Sequence, residues 1–218
     1  MILSDPLFVA LAALAHVLVL VYWLGGDLGA FYASTILTRA SETPVARVTA
    51  ARILNAVDMA PRTALLLAFP TGASLAAAKG WIALLLWAEA ALWLVAALWV
   101  ALIWRLHNPA PARALKALDL VLRLAALGGL LAAAALLTDW PLFIRLKAAL
   151  LALAISLGLA VRGVLGPFGP AFAAIAQGHA TPEAEAALSG ALGRARLFVA
   201  GIWITLLSAA ALGLWTPL

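Results

Sequence analysis

Apolar residues in this chain run in long blocks, and its polar positions gather in the short stretches between them. The blocks predict about six membrane-spanning helices: Pro6 to about Leu37, roughly Arg52 to Ala78, Trp81 to Trp104, about Lys116 to Leu137, Pro141 to Leu165, and Arg196 to about Trp215. Each reaches the ~20 residues that carry an α-helix across the hydrocarbon of a bilayer. Their Ala/Leu character favours helices over the period-two alternation of a membrane barrel. The connections carry loop chemistry: "SETPVAR", with Thr43 and Pro44 as cap and first-turn residue, "HNPAPAR", "TDWP" and "GPFGP". Thr181, Pro182, Glu183 and Glu185 mark the start of a further short helix running to Arg196. The first apolar run has no Lys or Arg ahead of it and is too long for a signal-peptide core, so it reads as a retained helix. Residues 1–218 form one integral membrane domain in this reading, an all-α polytopic transmembrane helix bundle.

Composition supports that class. The chain has 218 residues, 67% of them hydrophobic and 11% charged, and its mean hydropathy is +1.11, well outside the range of water-soluble domains. Cysteine is absent, which excludes disulfides, thiolate metal sites, iron–sulfur clusters and covalent c-type haem. Two methionines give little support to a soft-ligand copper relay.

The formal charge of +5 reads as topogenic loop charge rather than a nucleic-acid surface. One side collects Arg39, Arg47, Arg52, Arg62, Arg105, Arg113, Lys116, Arg162, Arg194 and Arg196; the other has Lys79, Arg145 and Lys147. By the positive-inside rule the first set faces the cytoplasm and both termini face the periplasm, as expected for a protein of a bacterial-type inner membrane. Trp81, Trp104, Trp140 and Trp215 mark interfacial belts. Trp87, Trp93 and Trp99 recur every six positions, which does not hold one helical face, and are expected to pack or face lipid.

Ionisable groups at membrane depth cost at least ~2.5 kcal/mol each and are therefore candidates for function. One set is expected toward the outer side. His16 lies eleven residues past Asp5, Glu89 eight past Trp81 and Lys147 seven past Trp140, roughly 10 to 17 Å deep at the helical rise. Three helices thus bring an imidazole, a carboxylate and an ammonium to a similar level. An inner set consists of Asp27, Asp58 and Arg62. Asp58 and Arg62, like Asp119 and Arg123, are four apart and suited to pair along one helix. Asp27, in "YWLGGDLGAFYAS", has no such local partner, and a contact with Arg62 is expected, the flanking glycines allowing close helix approach.

Several stretches, taken in order, resemble the HemJ-type protoporphyrinogen oxidase family and its relatives in the wider CopD-like membrane group. "AHVLVLVYW" is similar to the family's His-x6-Trp pattern, and Phe31 with Tyr32 to its "FYLPR" aromatic pair. "AARILNAVDMAPRTALLLAFPTGASL" is similar to its Arg-rich second helix with a mid-helix proline. "WPLFIRLKAALLALAIS" resembles its lysine helix, aligning Lys147 with the family lysine, and "RARLFVAGIWITLL" its closing helix. The likeness covers roughly half the chain. Ser34 and Thr35 stand where the family has Pro-Arg, and the third and fourth spans are additional. The resemblance implies His16 as an axial ligand of haem b, Lys147 as a ligand or catalytic group, porphyrin as substrate and quinone as electron acceptor. Glu89 would orient His16 or move a proton.

The residues alone leave three functions open. One is a haem- or porphyrin-binding redox protein. Another is a proton-coupled transporter or channel, with His16, Glu89 and Lys147 as a midplane site and Pro61, Pro70 and Gly72 breaking the second span. The third is a noncatalytic membrane subunit or assembly factor, homo-oligomeric or held by a membrane-complex partner through small-residue faces such as Gly128 and Gly129.

Overall fold

The structure, a computed structural model, describes residues 5–107 and 112–215. It is an all-α transmembrane bundle, built from α1 (Pro6–Leu37), α2 (Pro44–Val57), α3 (Met59–Ala78), α4 (Leu86–His107), α5 (Arg113–Leu136), α6 (Leu142–Val164), α7 (Phe168–Ala176) and α8 (Pro182–Leu214). Among the described residues five helices are long and apolar enough to cross a membrane: α1, α4, α5, α6 and α8.

The expected second span is not one helix. The chain breaks at Asp58, which caps α2, and a new helix begins at Met59. Helix α3 has span length but is less apolar than the five, because Arg62, Pro61, Thr63, Pro70, Thr71, Gly72 and Ser74 dilute its leucines. Asp58 itself keeps right-handed helical torsions, φ −63° and ψ −16°, at this junction. Helix α3 ends in a Schellman motif: Gly80 has φ of +70°, its N–H donates to Ala77 C=O at 2.9 Å, and the Trp81 N–H reaches Ala76 C=O at 2.9 Å. The next helix therefore starts at Leu86 rather than Trp81, so Glu89 sits in its first turn instead of eight residues down a span. The last span and the short helix before it are a single helix, α8, since no residue between Pro182 and Leu214 breaks the backbone pattern. The connection expected around residues 108–111 lies outside the described residues.

The chain divides into two compact units. The first comprises residues up to Gly25 together with Met59–Ala149, and the second Gly26–Asp58 together with residues from Leu150 onward.

In the second unit, Thr43 and Thr181 cap α2 and α8, accepting from the N–H groups of Ala46 and Ala184 at 3.2 Å, each with proline at the next position. A small apolar core of Leu37, Ala50, Ala171, Ile175, Leu188 and Leu192 joins α1, α2, α7 and α8. Two arginines tie the unit together. Arg47, only 3% exposed, donates through Nε to Leu37 C=O at 3.0 Å and through both terminal nitrogens to Glu185 at 2.6 and 2.8 Å. Arg196 donates to Ser34 Oγ at 2.9 Å, Ser34 C=O at 2.7 Å and Thr38 Oγ1 at 3.2 Å, and lies over the Phe31 ring. Arg47, read from the sequence as a loop charge, is thus a buried structural group. Close packing continues along α8, where a Cβ on Gly201 would come within 3.2 Å of Leu157 on α6.

Candidate functional site

The first unit holds the ionisable groups expected at the outer level, and α3 bonds two of them, His16 and Glu89. Pro70 removes a backbone N–H from the middle of this helix, and the turn that follows presents Thr71, Gly72 and Ser74. Thr71 and Ser74, three residues apart, lie on neighbouring positions of one face.

Thr71 takes the imidazole. His16 Nδ1 lies 3.0 Å from Thr71 Oγ1, and the same hydroxyl lies 2.6 Å from Leu67 C=O. A hydroxyl has one proton, and a carbonyl can only accept. The Thr71 proton therefore goes to Leu67, its oxygen accepts from His16 Nδ1–H, and the lone pair of the neutral ring is on Nε2. Glycine at 72 allows this approach, because a Cβ there would lie 3.2 Å from His16 Cε1. Lys147 stands in the second turn of α6.

Ser74 takes the carboxylate. Its hydroxyl donates to Glu89 Oε1 and accepts from the indole N–H of Trp93 at 3.1 Å. Glu89 is buried, at 9% exposure, and the first turn of α4 is a favourable place for a carboxylate. Glu89 is therefore bonded one turn along α3 from His16 rather than to the imidazole itself.

A second polar group joins α4 and α5. Asp119, 1% exposed, accepts from Trp99 Nε1 at 2.9 Å on one oxygen and from Arg123 Nε at 3.0 Å on the other. The Arg123 guanidinium lies 6.0 Å from the centre of the Trp99 ring. This is the i,i+4 pair that the sequence predicts. Beside it an apolar cavity of about 330 Å³ is lined by residues including Leu66, Phe69, Val95, Trp99 and Leu130; His16, Glu89 and Lys147 do not line it.

The inner set is distributed differently. Asp27 is buried in the second unit, which also contains Asp58, whereas Arg62 is exposed and belongs to α3 of the first.

Sequence reasoning missed Thr71, Ser74, Trp93 and Trp99 as site residues. The signal was present in the first two: small hydroxyl residues three apart, directly after a proline, in a helix otherwise rich in Leu and Ala. For the tryptophans there was none, since their hydrogen bonds depend on which helix stands opposite. Trp87, by contrast, is 71% exposed, as a lipid-facing ring would be.

The donor set tests which groups this site suits. Among the described residues no group of three or more His, Cys, Asp or Glu could hold a metal ion. A bare transition metal needs several such ligands, whereas a porphyrin brings four nitrogens of its own and needs one axial imidazole. His16, with Nδ1 anchored and no hydrogen bond on Nε2 among the described residues, fits the second requirement. Comparison with family models, curated proteins and solved structures finds no match for this chain.

Proposed function

We propose that this membrane bundle is a haem-b-binding redox protein, similar in its ligand helix to the HemJ-type oxidases, with His16 as axial ligand. The observation that supports the reading is the Thr71 hydroxyl, which holds Nδ1–H and leaves Nε2 for iron. Axial histidines are oriented in this way by an outer hydrogen bond, which also raises their basicity as ligands. Haem supplies one-electron chemistry when bound. The protein's share is to aim the imidazole, to keep the site apolar, and to place the Lys147 ammonium where it favours added negative charge. Porphyrin as substrate, quinone as electron acceptor and the bacterial-type inner membrane, with both termini periplasmic, belong to the same proposal.

An absorption spectrum of detergent-purified protein from haem-supplied cells tests it. A Soret band is expected in the wild type, lost in His16→Ala and kept in His107→Ala and His179→Ala. Lys147→Ala should move the band or the potential. Wild-type protein without bound porphyrin would refute the reading. It would move the assignment to a proton-coupled transporter, which the proline-interrupted α3 with its polar face favours.

A further inference from the structure

The hydrogen bonds around Glu89 define the protonation state of each atom more closely than the burial of the residue does. Indole N–H groups only donate, so Ser74 Oγ is the acceptor toward Trp93. The single Ser74 proton then goes to Glu89 Oε1. While Oε1 accepts from Ser74, the place left for a proton on Glu89 is Oε2. No hydrogen bond among the described residues engages Oε2, and it is not among the fully enclosed side-chain atoms. The carboxyl is therefore fixed by one oxygen and open at the other. Five residues without helical structure, 81–85, separate it from the Gly80 turn, so it sits at the end of its helix and not in mid-span.

We propose that Glu89 is a proton-binding site of the bundle, taking up a proton from water at Oε2 and releasing it there while Oε1 stays bound to Ser74. Uptake converts the carboxylate to the neutral acid and requires no other hydrogen bond to change. The ionisable groups of this unit on or beside the same helix ends are Asp5 before α1, His16 on α1, Lys79 after α3, Asp139 before α6, and Arg145 and Lys147 on α6. Lys79 lies over the Trp81 ring, and Arg145 Nε donates to Ala134 C=O at 2.9 Å. The inference does not depend on porphyrin binding.

Infrared difference spectra of the full chain in lipid, recorded on acidification, test the assignment. The wild type should gain the C=O stretch of a protonated carboxyl, shifted down in heavy water and missing in Glu89→Gln. Because Oε1 would be the carbonyl oxygen of the acid, Ser74→Ala should raise the frequency of that band by removing its hydrogen bond. Treatment of the wild-type protein with a hydrophobic carbodiimide, which attacks protonated carboxyls, should modify Glu89, and more so at lower pH. Identical difference spectra for wild type and Glu89→Gln would overturn the proposal. A band indifferent to Ser74→Ala, or a Glu89 that escapes the carbodiimide at every pH, would do so without relying on the Glu89 variant's folding.

Discussion

The arginine clamps of the second unit and the α3 cluster of the first both withdraw ionisable side chains from water, yet their hydrogen bonding differs in kind. Arg47 meets two carboxylate oxygens and a carbonyl, and Arg196 meets a hydroxyl, a carbonyl and a second hydroxyl. Donors and acceptors are matched, and helix ends are locked together. In the α3 cluster each key group is held by one atom only: His16 by Nδ1 and Glu89 by Oε1. Burial of charge therefore does not by itself mark a functional site. The discriminating feature is a side chain oriented by one atom with another left for a ligand or proton.

That contrast can be broken most severely at the clamp. Glu185→Gln leaves Arg47 buried against a neutral partner and should destabilise the protein by about 2–3 kcal/mol, read from detergent-titrated unfolding. Removing the exposed Arg39–Glu42 pair, 3.8 Å apart, should cost less than ~1 kcal/mol. The clamp also has a defined pH dependence. Glu185 lies in the polar first turn of α8, ahead of the apolar stretch that follows Arg196. The hydrogen bond from Arg47 and the charge of its guanidinium hold the Glu185 carboxyl below the usual range, against the opposing effect of partial burial. The folded-state value is depressed, so the contribution is present above the ordinary carboxylate range and is lost as pH falls through the folded value. Glu185→Gln should remove that part of the acid sensitivity.

At the cluster the expected effects are smaller in stability and larger in chemistry. Thr71→Val keeps the side-chain shape but leaves His16 Nδ1–H without its acceptor. It should cost ~1–3 kcal/mol and, on the haem reading, weaken retention against a haem scavenger about 10- to 100-fold. Thr71→Ser should restore both. Gly72→Ala acts more gently. The new Cβ forces the His16 ring to move by a few tenths of an ångström, a change of about 1 kcal/mol in stability accompanied by a shifted spectrum. Gly25→Ala, with nothing within 4 Å of its Cβ, should be neutral or stabilising by ~0.5–1 kcal/mol and leave the spectrum alone.

Much of the architecture was legible in order along the chain. Helix α1 runs over the expected residues, both Thr-Pro caps start helices, and Asp119 pairs with Arg123, because caps and i,i+4 contacts depend on residues close in sequence. The errors came where apolar composition hides a local stop. The break at Asp58 and the Gly80 turn lie in or beside hydrophobic blocks, and the polar start of α8 was separated from a helix that continues through it.

The sequence by itself determined that this is a membrane protein, approximately where its helices lie, and that His16, Glu89 and Lys147 are chargeable groups in apolar surroundings. Hydropathy and helical rise are properties of consecutive residues, so a single chain suffices to read them. Tertiary structure alone decided that Thr71 rather than Glu89 meets His16, that Ser74 and Trp93 orient Glu89, and that Arg47 is buried against Glu185. Each of these depends on which helix stands opposite and in what register. A hydrogen bond has a reach of about 3 Å, so a displacement of one residue along either helix would have paired different atoms.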